Sequence, residues 1–452
     1  MPIHSSNTDD PALLIQEIPW RDPAEIFTIV GDRPGTVFLD SAATGDQRAR
    51  ISYIGVDPID EVRLPVASMD AVEVALRRLR RPGEAIDGPL PFNSGIIGMI
   101  GYAPGARQMA AMQARADDSE VPDLIVRRYD LILGFDLAQR RCWGIARDRG
   151  ATSAASRISQ LLEASGPALP ISAHADWREH TSAAEHRAQV EHVLRYIAAG
   201  DIYQANVSTR FSRPRPCGFS AAAAYLALRR HNPAPFGAFV DLGEGSALIS
   251  ASPERFVQCD REGRIETRPI KGTMPRDADP DRDRANADQL AASAKDIAEN
   301  LMICDLLRND LSQVAVAGSI DVPQLAALEG FASVWHLVSA VRGQLAPGRD
   351  AIDLLRATLP GGSITGAPKK RAIEIIDEVE TSARGAFYGT VFWLGDDGAM
   401  DSSLIIRSIV VTPTQLIAAA GGGIVADSDP QAEYAELRAK IDPVLEAFGP
   451  KP

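Results

Sequence analysis

The chain has 452 residues, of which 45% are hydrophobic and 24% are charged, as is typical of a soluble globular protein. Its formal net charge of −13 argues against nonspecific nucleic-acid binding, which requires clustered lysine and arginine. The four cysteines lie far apart without a Cys-x-x-Cys motif, so we expect neither a zinc site nor a disulfide framework, and we expect a cytoplasmic location. The sequence shows neither a signal peptide nor an apolar run that could span a bilayer.

Composition divides the chain into three segments. Residues 13–148 contain strand-like runs, and residues 149–181 are rich in Ala, Ser, Gly and Pro, which is typical of a linker. Residues 182–446 combine strands with long amphipathic helices, including one predicted over 284–313 and one that begins at Asp429-Pro430. Because strands and helices do not alternate regularly, we predict an α+β fold rather than a doubly wound sheet.

The chemistry is expected in the stretch SPERFVQCDREGRIETRPIKGTMPR, residues 252–276. Its pattern predicts a hairpin, with Glu254 after a proline at one end and Lys271 before Gly272 at the other. The two ends of such a hairpin bring an acid and an amine towards one point. A partly desolvated ammonium loses its proton more readily and becomes a nucleophile. The alternative is a surface hairpin with a solvated lysine.

Two predicted helices each carry a pair of carboxylates three residues apart. Asp296 and Glu299 lie on the helix over 284–313, and Glu433 and Glu436 lie on the C-terminal helix. Their side chains project near one another, off the apolar stripe. Two such pairs provide the hard oxygen ligands that magnesium takes, whereas a solvated helix face is the alternative. The predicted core stripe of the first helix consists of Leu290, Ile297, Leu301 and Cys304.

Glycine-rich segments at 361–366 and 421–423 offer backbone N–H groups to an anionic ligand. The first is not a P-loop, because Ala367-Pro368 replaces the required Lys and Ser/Thr. Arg407 lies on a predicted strand and could clamp a carboxylate, or it could be structural. His336, in an alternating run, is either a core or rim residue or a catalyst.

An ordered set of motifs resembles the chorismate-utilising enzymes, namely the anthranilate synthase large subunit, aminodeoxychorismate synthase component I, and the isochorismate and salicylate synthases. The resemblance covers residues 182–445 and, more loosely, FLDSAA and GYAPGAR in the first segment. It implies two large antiparallel sheets packed face to face with helices outside. The motifs are SPERF, RPIKGTMPR, DIAENLMICDLLRNDL, SVWHLVSAVRG, LPGGSITGAPKKRA, DSSLIIRS and AGGGIVADSDPQAEYAE.

Two positions discriminate within that family. Lys271 in PIKGT is similar to the aminodeoxychorismate synthase signature, whereas anthranilate and salicylate synthases usually carry Ala there. Gln204 stands where the isochorismate and salicylate enzymes use a lysine base for water, which implies ammonia as the nucleophile. The resemblance therefore implies conversion of chorismate to 4-amino-4-deoxychorismate, for p-aminobenzoate and folate biosynthesis. A separate glutamine amidotransferase subunit is expected to supply the ammonia.

The resemblance also assigns roles to individual residues. Lys271 attacks C2 of chorismate while Glu254 protonates the departing C4 hydroxyl, and ammonia then attacks C4 and expels the lysine. The counterpart of His336 assists pyruvate elimination in anthranilate synthases, and its role in this branch is open.

Magnesium is the implied cofactor, held by Glu299 and Glu436, with Asp296 and Glu433 as water-bridged or supporting partners. The ion would bind the ring carboxylate of chorismate. The remaining substrate contacts are expected from Gly272, Thr273, Ser363, Tyr388, Arg407, Gly421, Gly422, Gly423 and Lys440.

Leu39 and Ser41 in FLDSAA match the family's tryptophan pocket, so tryptophan is a further possible ligand. Two alternative functions stay open from the sequence. The chain could be an anthranilate synthase large subunit with an unusual Lys271, or a silent homologue that binds tryptophan or scaffolds an amidotransferase.

Overall fold

The computed structural model describes residues 13–43, 48–82, 86, 88–113, 119, 121–164, 176–331 and 334–448. The tail over 1–12 and residues 165–175 of the predicted linker lie outside these ranges. Within them the chain forms two antiparallel sheets, one of 12 strands and one of 10, with helices around them. The predicted α+β fold of two large packed sheets is confirmed. No helix in these ranges is both long enough and apolar enough to cross a membrane.

Both sheets are built from strands of 2 to 11 residues, and every pairing in them is antiparallel. In chain order the strands are β1 (Leu13–Ile18), β2 (Val37–Asp40), β3 (Ile51–Gly55), β4 (Asp60–Leu64), β5 (Gly95–Ile100), β6 (Leu124–Tyr129), β7 (Leu131–Asp136), β8 (Arg141–Arg147), β9 (Arg178–Glu179), β10 (Gln204–Pro214), β11 (Phe236–Gly243), β12 (Ser246–Ser252), β13 (Arg255–Cys259), β14 (Arg264–Thr267), β15 (Ile270–Pro275), β16 (Asp321–Gly330), β17 (Val334–Gln344), β18 (Gly366–Ala367), β19 (Thr390–Gly395), β20 (Met400–Leu404), β21 (Ser408–Val411) and β22 (Gln415–Ile424).

The helices cover the outer faces of the sheets and the ends of the strands. In chain order they are α1 (Pro23–Val30), α2 (Met69–Leu79), α3 (Tyr102–Met109), α4 (Ala154–Glu163), α5 (Ala183–Ala198), α6 (Ala221–His231), α7 (Pro280–Ala291), α8 (Ala294–Ser312), α9 (Ala351–Thr358), α10 (Lys369–Val379) and α11 (Pro430–Glu446).

Strands from both halves of the chain share both sheets. The larger sheet runs β1-β8-β7-β3-β2-β11-β12-β21-β22-β10-β18, with β9 also paired to β10. The smaller runs β15-β17-β14-β13-β20-β19-β5-β6-β4, with β16 also paired to β17. The junction in the first is β2 against β11, and the junction in the second is β5 against β19. The segments 13–148 and 182–446 therefore meet along continuous backbone hydrogen-bond ladders.

The predicted helix over 284–313 is instead two helices, α7 and α8. The break falls at Ala292-Ser293, where the Ser293 hydroxyl accepts a hydrogen bond from the Asp296 N–H and starts a new helix. The new helix buries the stripe that contains Ile303, Leu307 and Leu311. The prediction that Ile297 and Leu301 face the core is wrong, because they lie on the flank of that stripe and are 38% and 52% exposed. Leu290 and Cys304 are buried as predicted.

The C-terminal helix α11 begins as predicted. Asp429 accepts a hydrogen bond from the Ala432 N–H at 2.8 Å, and Pro430 occupies the first turn. The first turn fixes the position of Glu433, and Glu436 and Lys440 follow at helical spacing.

Candidate active site

A β-bulge places the lysine that the sequence singles out. The strand predicted to end at Lys271 is divided into β14 and β15, and Lys271 is the second residue of β15. β15 pairs with β17, and the register shifts between Lys271 and Thr273. Gly272, between them, has φ +70°, and a Cβ there would lie 3.0 Å from the Asp296 side chain. Only glycine fits this conformation and this approach without strain.

The Lys271 amine lies between the Glu299 carboxylate and Gly423 on strand β22. Its Nζ is 3.8 Å from Glu299 Oε2, and both side chains are largely buried. A Cβ added at Gly423 would lie 3.4 Å from Lys271 Nζ and 2.5 Å from Gln204 Nε2. The glycine therefore leaves the space in which the lysine and the glutamine meet. Gln204 is buried, and neither atom of its amide has a hydrogen-bond partner in the described part of the chain.

Glu254 has the acid–base properties expected of a proton donor. Burial raises the pKa of its carboxyl to about 7, although a hydrogen bond from Ser363 and the charge of Lys271 oppose the rise. Its backbone N–H donates to Ser252 Oγ at 3.3 Å, which fixes the turn into β13. Acid and carboxylate forms are therefore both populated near neutral pH.

Three lysines lie among three glutamates beside this acid. Lys295 Nζ is 3.9 Å from Glu299 Oε1 and 3.5 Å from Glu433 Oε1. Lys440 Nζ is 2.6 Å from Glu436 Oε1 and donates to the Gly421 carbonyl at 3.1 Å. The helices α8 and α11 thus bring together the two carboxylate pairs that the sequence placed more than a hundred residues apart.

The pKa values of these glutamates differ according to their neighbours. Burial raises the pKa of Glu299. The positive charges of Lys271 and Lys295 act to lower this pKa, and the negative charges of Glu436 and Asp296 act to raise it, so the net shift is upward. Burial also acts to raise the pKa of Glu436, but the ion pair with Lys440 outweighs this, so the net shift is downward. The two carboxylates are therefore close enough to repel one another unless a cation lies near them.

Oxygen ligands for a divalent cation are present, but they are not preassembled. In the described ranges no group of three or more His, Cys, Asp or Glu side chains has an arrangement that could hold a metal ion. Glu433 is buried, its Oε1 accepts a hydrogen bond from Ser428 Oγ, and its Oε2 has no hydrogen-bond partner among the residues that the structure describes. Asp296 accepts a hydrogen bond from Ser293 Oγ. The donor chemistry suits magnesium, provided that substrate or water completes the coordination.

Several predicted substrate contacts surround the same space. His336 Nδ1 is 3.0 Å from Thr273 Oγ1 and 3.3 Å from the Gly272 carbonyl oxygen, so both lie beside the bulge. Burial lowers the pKa of Arg407, and the charge of Glu436 opposes this. No hydrogen bond or short ion pair to another described residue occupies the Arg407 guanidinium, which leaves it available for an anion.

Tyr388, a predicted substrate contact, lies beside the buried Arg384. It is buried with φ +64°, and the Arg384 guanidinium carbon lies 4.6 Å from the centre of its ring. No described contact joins it to Lys271, Glu254 or Arg407. Its assignment to the substrate stays a prediction.

Leu39 and Ser41 line a separate cavity of about 1350 Å³. The Ser41 hydroxyl is bonded within the protein and donates to the Ile51 carbonyl at 2.7 Å. Arg48 also lines this cavity, with its guanidinium carbon 4.4 Å from the centre of the Phe331 ring. The cavity is large enough for a small aromatic ligand, and tryptophan binding stays a prediction.

Sequence reasoning missed two groups in or near the site. Lys295 lies four residues before Glu299, and this helical spacing was the signal that could have revealed it. The buried pair of Glu380 and Arg384, with a 2.8 Å contact, lies behind the site. Arg384 also donates to the Ile364 carbonyl in the glycine-rich loop and to the Asn206 carbonyl on β10, both at 2.8 Å. The pair therefore joins two walls of the site.

Comparison with known proteins identifies relatives over nearly the whole chain. A family described as chorismate binding enzyme matches residues 36–446. Aminodeoxychorismate synthase component 1 of Escherichia coli strain K12 is 42% identical over 443 residues, covering 94% of this chain and 96% of that protein. Anthranilate synthase component 1 of Thermus thermophilus is 35% identical over 441 residues, covering 94% and 95%.

The fold has a close match among solved structures. Anthranilate synthase component I from Streptococcus pneumoniae TIGR4 has a TM-score of 0.78 and 29% sequence identity, and the match covers 87% of this chain and 92% of that one. The likeness therefore extends over both sheets.

Proposed function

The chain belongs to the family of chorismate binding enzymes, and on this premise we propose that it is component 1 of an aminodeoxychorismate synthase. It would convert chorismate and ammonia to 4-amino-4-deoxychorismate, a precursor for p-aminobenzoate and folate. The observation that carries the proposal is the Lys271 amine, set by a bulge beside Glu299 and the Gly423 backbone. The higher identity to the Escherichia coli relative than to the Thermus anthranilate synthase supports the same choice.

Lys271 serves as the nucleophile in the proposed reaction. Its ammonium must first lose a proton and leave the ion pair with Glu299. The free amine then forms a bond to C2 of chorismate, the ring double bonds shift, and the C4–oxygen bond breaks. In the second half, ammonia bonds to C4 and the C2–nitrogen bond breaks, which returns the lysine. The net change is replacement of the hydroxyl by an amino group, with release of water.

Glu254 supplies the proton for the departing C4 hydroxyl. A carboxyl with a pKa of about 7 retains its proton in much of the population at neutral pH, and this matches the requirement for a general acid. Ser363, from the glycine-rich loop, is hydrogen-bonded to this carboxyl and orients it. The glycine-rich loop therefore orients the Glu254 carboxyl in addition to contacting the substrate.

Glu299 and Glu436 would hold the magnesium ion, with Asp296 and Glu433 supporting them. When bound, the ion supplies positive charge for a substrate carboxylate, which this acidic protein otherwise repels. The unpartnered Oε2 of the buried Glu433 supports this assignment, because a buried carboxylate oxygen requires a partner.

Arg407 and the backbone of Gly421–Gly423 would bind the second carboxylate of chorismate, which is on its enolpyruvyl group. The guanidinium has no anionic partner at short distance within the described ranges, and the Gly421–Gly423 backbone of β22 can approach a ligand because it carries no side chains. Gly272, Thr273 and Lys440 complete the walls beside the bulge.

A second subunit would deliver the ammonia. The relatives are named component 1, which implies a partner, and we propose that the partner is a glutamine amidotransferase. Gln204, in place of a lysine base, suits ammonia as the nucleophile because a neutral amide cannot deprotonate water. We propose a cytoplasmic location for the complex.

The test is to incubate the purified chain with chorismate, ammonium chloride and magnesium chloride and to analyse the products by mass spectrometry. We expect 4-amino-4-deoxychorismate. Anthranilate, detected by its fluorescence, would instead identify an anthranilate synthase, and unconsumed chorismate would identify a silent homologue.

A further inference from the structure

Lys295 occupies the centre of the acidic cluster on helices α8 and α11. Its Nζ lies 3.5 Å from Glu433 Oε1 and 3.9 Å from Glu299 Oε1. The lysine side chain is 45% exposed, whereas those of Glu299 and Glu433 are 13% and 3% exposed. The ammonium therefore bridges two buried carboxylates from the solvent side.

The other two lysines of the site, Lys271 and Lys440, contact different carboxylate oxygens from those that Lys295 contacts. Lys271 contacts the opposite oxygen of Glu299 at 3.8 Å, and Lys440 contacts Glu436 at 2.6 Å. Glu299 is therefore held by two ammonium groups at once. Of the three lysines, Lys295 has the most exposed side chain, since those of Lys271 and Lys440 are 14% and 30% exposed.

A divalent cation held by Glu299 would compete with these ammonium groups. A divalent cation on Glu299 adds two positive charges within a few ångströms of the Lys295 ammonium, and the two cations would repel one another. Lys295 can move its charge into water by rotating a flexible four-carbon side chain. The Lys295 ammonium lies within 3.9 Å of both carboxylates, where it would meet such a cation.

We propose that Lys295 is a tethered counter-cation that holds Glu299 and Glu433 together before metal binding and moves out to solvent when a divalent cation binds. The inference rests on the proposed function, because it concerns the cation assigned to that site. It makes Lys295 a positioning residue, since the lysine acts on the substrate only through the carboxylates.

The test compares magnesium binding to wild-type protein and to Lys295→Met by titration calorimetry, without chorismate and at low ionic strength. Removal of the competing ammonium should tighten magnesium binding about tenfold. Equal or weaker binding by Lys295→Met would overturn the proposal. Arg308→Met is the matched control: it removes one charge from the exposed side of the same helix, where Arg308 pairs with Asp305 at 3.0 Å, and should leave the affinity unchanged.

A second measurement follows the lysine itself and does not depend on the variant folding. Wild-type protein is treated briefly with an amine-acylating reagent, with and without magnesium chloride, and modification of Lys295 is quantified by mass spectrometry. Magnesium should increase the acylation of Lys295 severalfold relative to an exposed reference, Lys370. Unchanged or reduced acylation would contradict the displacement.

The amination assay on wild-type protein distinguishes failure of the Lys295 proposal from failure of the proposed function. If the aminated product forms and magnesium binds wild type and Lys295→Met alike, only the counter-cation proposal fails. If magnesium does not bind the wild-type protein, the counter-cation proposal fails together with the metal assignment. If the product is anthranilate but Lys295→Met binds magnesium more tightly, the proposal on Lys295 stands and the proposed reaction fails.

Discussion

At the scale of single residues, the proposed chemistry depends on Lys271. Replacement by Ala should abolish formation of 4-amino-4-deoxychorismate, because no other amine in the described part of the chain lies beside both Glu299 and Gly423. Lys271→Arg keeps the charge but lacks a nucleophilic amine, and it should be equally inactive. Product analysis with saturating ammonium provides the measurement. Full activity of Lys271→Ala would exclude covalent catalysis.

The Glu254 carboxyl should determine the alkaline limb of the pH–rate profile. Its pKa of about 7 predicts that kcat/KM falls as pH rises through neutrality, because the proton donor is lost. Glu254→Gln should lower kcat about 10²- to 10⁴-fold and should remove this limb. A wild-type profile that stays flat from pH 6 to 9 would reject Glu254 as the general acid.

The same carboxyl links stability to pH in a defined direction. Its pKa is raised in the folded state, so its stabilising contribution is complete below the usual value of 4.5 and is lost as pH rises through about 7. Glu254→Gln should therefore gain stability relative to wild type between these values, by at most about 3 kcal/mol. Urea unfolding at pH 5 and pH 8 tests this, and a difference that does not grow with pH would contradict it.

The identities of Lys271 and Glu254 were predictable, but their geometry was not. Residue types at the two ends of a hairpin pattern, together with the family motifs, indicated an acid and an amine. The requirement for glycine at position 272 of the bulge comes from Leu290 and Asp296, which a Cβ there would meet and which lie on two later helices. A local pattern contains no information about such distant contacts, so the sequence predicted a plain strand end.

At the scale of elements, the Glu380–Arg384 pair joins the glycine-rich loop to β10. Both side chains are buried, and Glu380 also accepts hydrogen bonds from the N–H and hydroxyl of Ser208. Arg384→Met leaves a buried carboxylate unpaired and should lower the free energy of unfolding by about 3–5 kcal/mol.

Urea denaturation at neutral pH measures the effect of Arg384→Met. The matched control is Arg371→Met, which removes two half-exposed ion pairs, with Asp201 and Glu374 at 3.1 Å each, and should change stability by less than about 1 kcal/mol. Similar losses in the two variants would show that the buried pair contributes no more than a surface pair.

Helix boundaries were predictable where a local signal determines them. The Asp429-Pro430 start of α11 was correct because capping depends on neighbouring residues. The break between α7 and α8 was missed because both helices contain good helix formers, and the shift in the buried stripe depends on the strands beneath. Ile297 and Leu301 were assigned to the core by periodicity alone, which cannot distinguish the centre of a stripe from its flank.

At the scale of the whole molecule, the N-terminal segment is an integral part of both sheets. In a fragment comprising residues 182–452, β11 and β19 would each lose one of two partner strands, namely β2 and β5. We expect this fragment to show no cooperative unfolding transition when monitored by circular dichroism, in contrast to the full chain. A sharp two-state transition in the fragment would show that the C-terminal sheets close without these strands.

The α+β class was predictable because strands and helices do not alternate regularly along the sequence, and the paired sheets were predictable because the family motifs extend over most of the chain. The pairing of strands between segments 13–148 and 182–446 was not predictable. Composition indicated a linker over 149–181, and strand pairing between distant segments leaves no local signal. The large cavity beside Leu39 and Ser41 likewise depends on residues from β2, β11, β13 and β17.

The position of α11 has a consequence for the timing of assembly. Glu433, Glu436 and Lys440 lie on the last described helix, whereas Lys271 and Glu299 lie in earlier elements. During synthesis the ribosome must pass residue 440 before the final acidic groups can reach their lysine partners. A nascent chain shorter than this carries the amine and the proton donor but lacks two of the carboxylates proposed to hold magnesium, so we expect it to leave the cellular chorismate pool untouched.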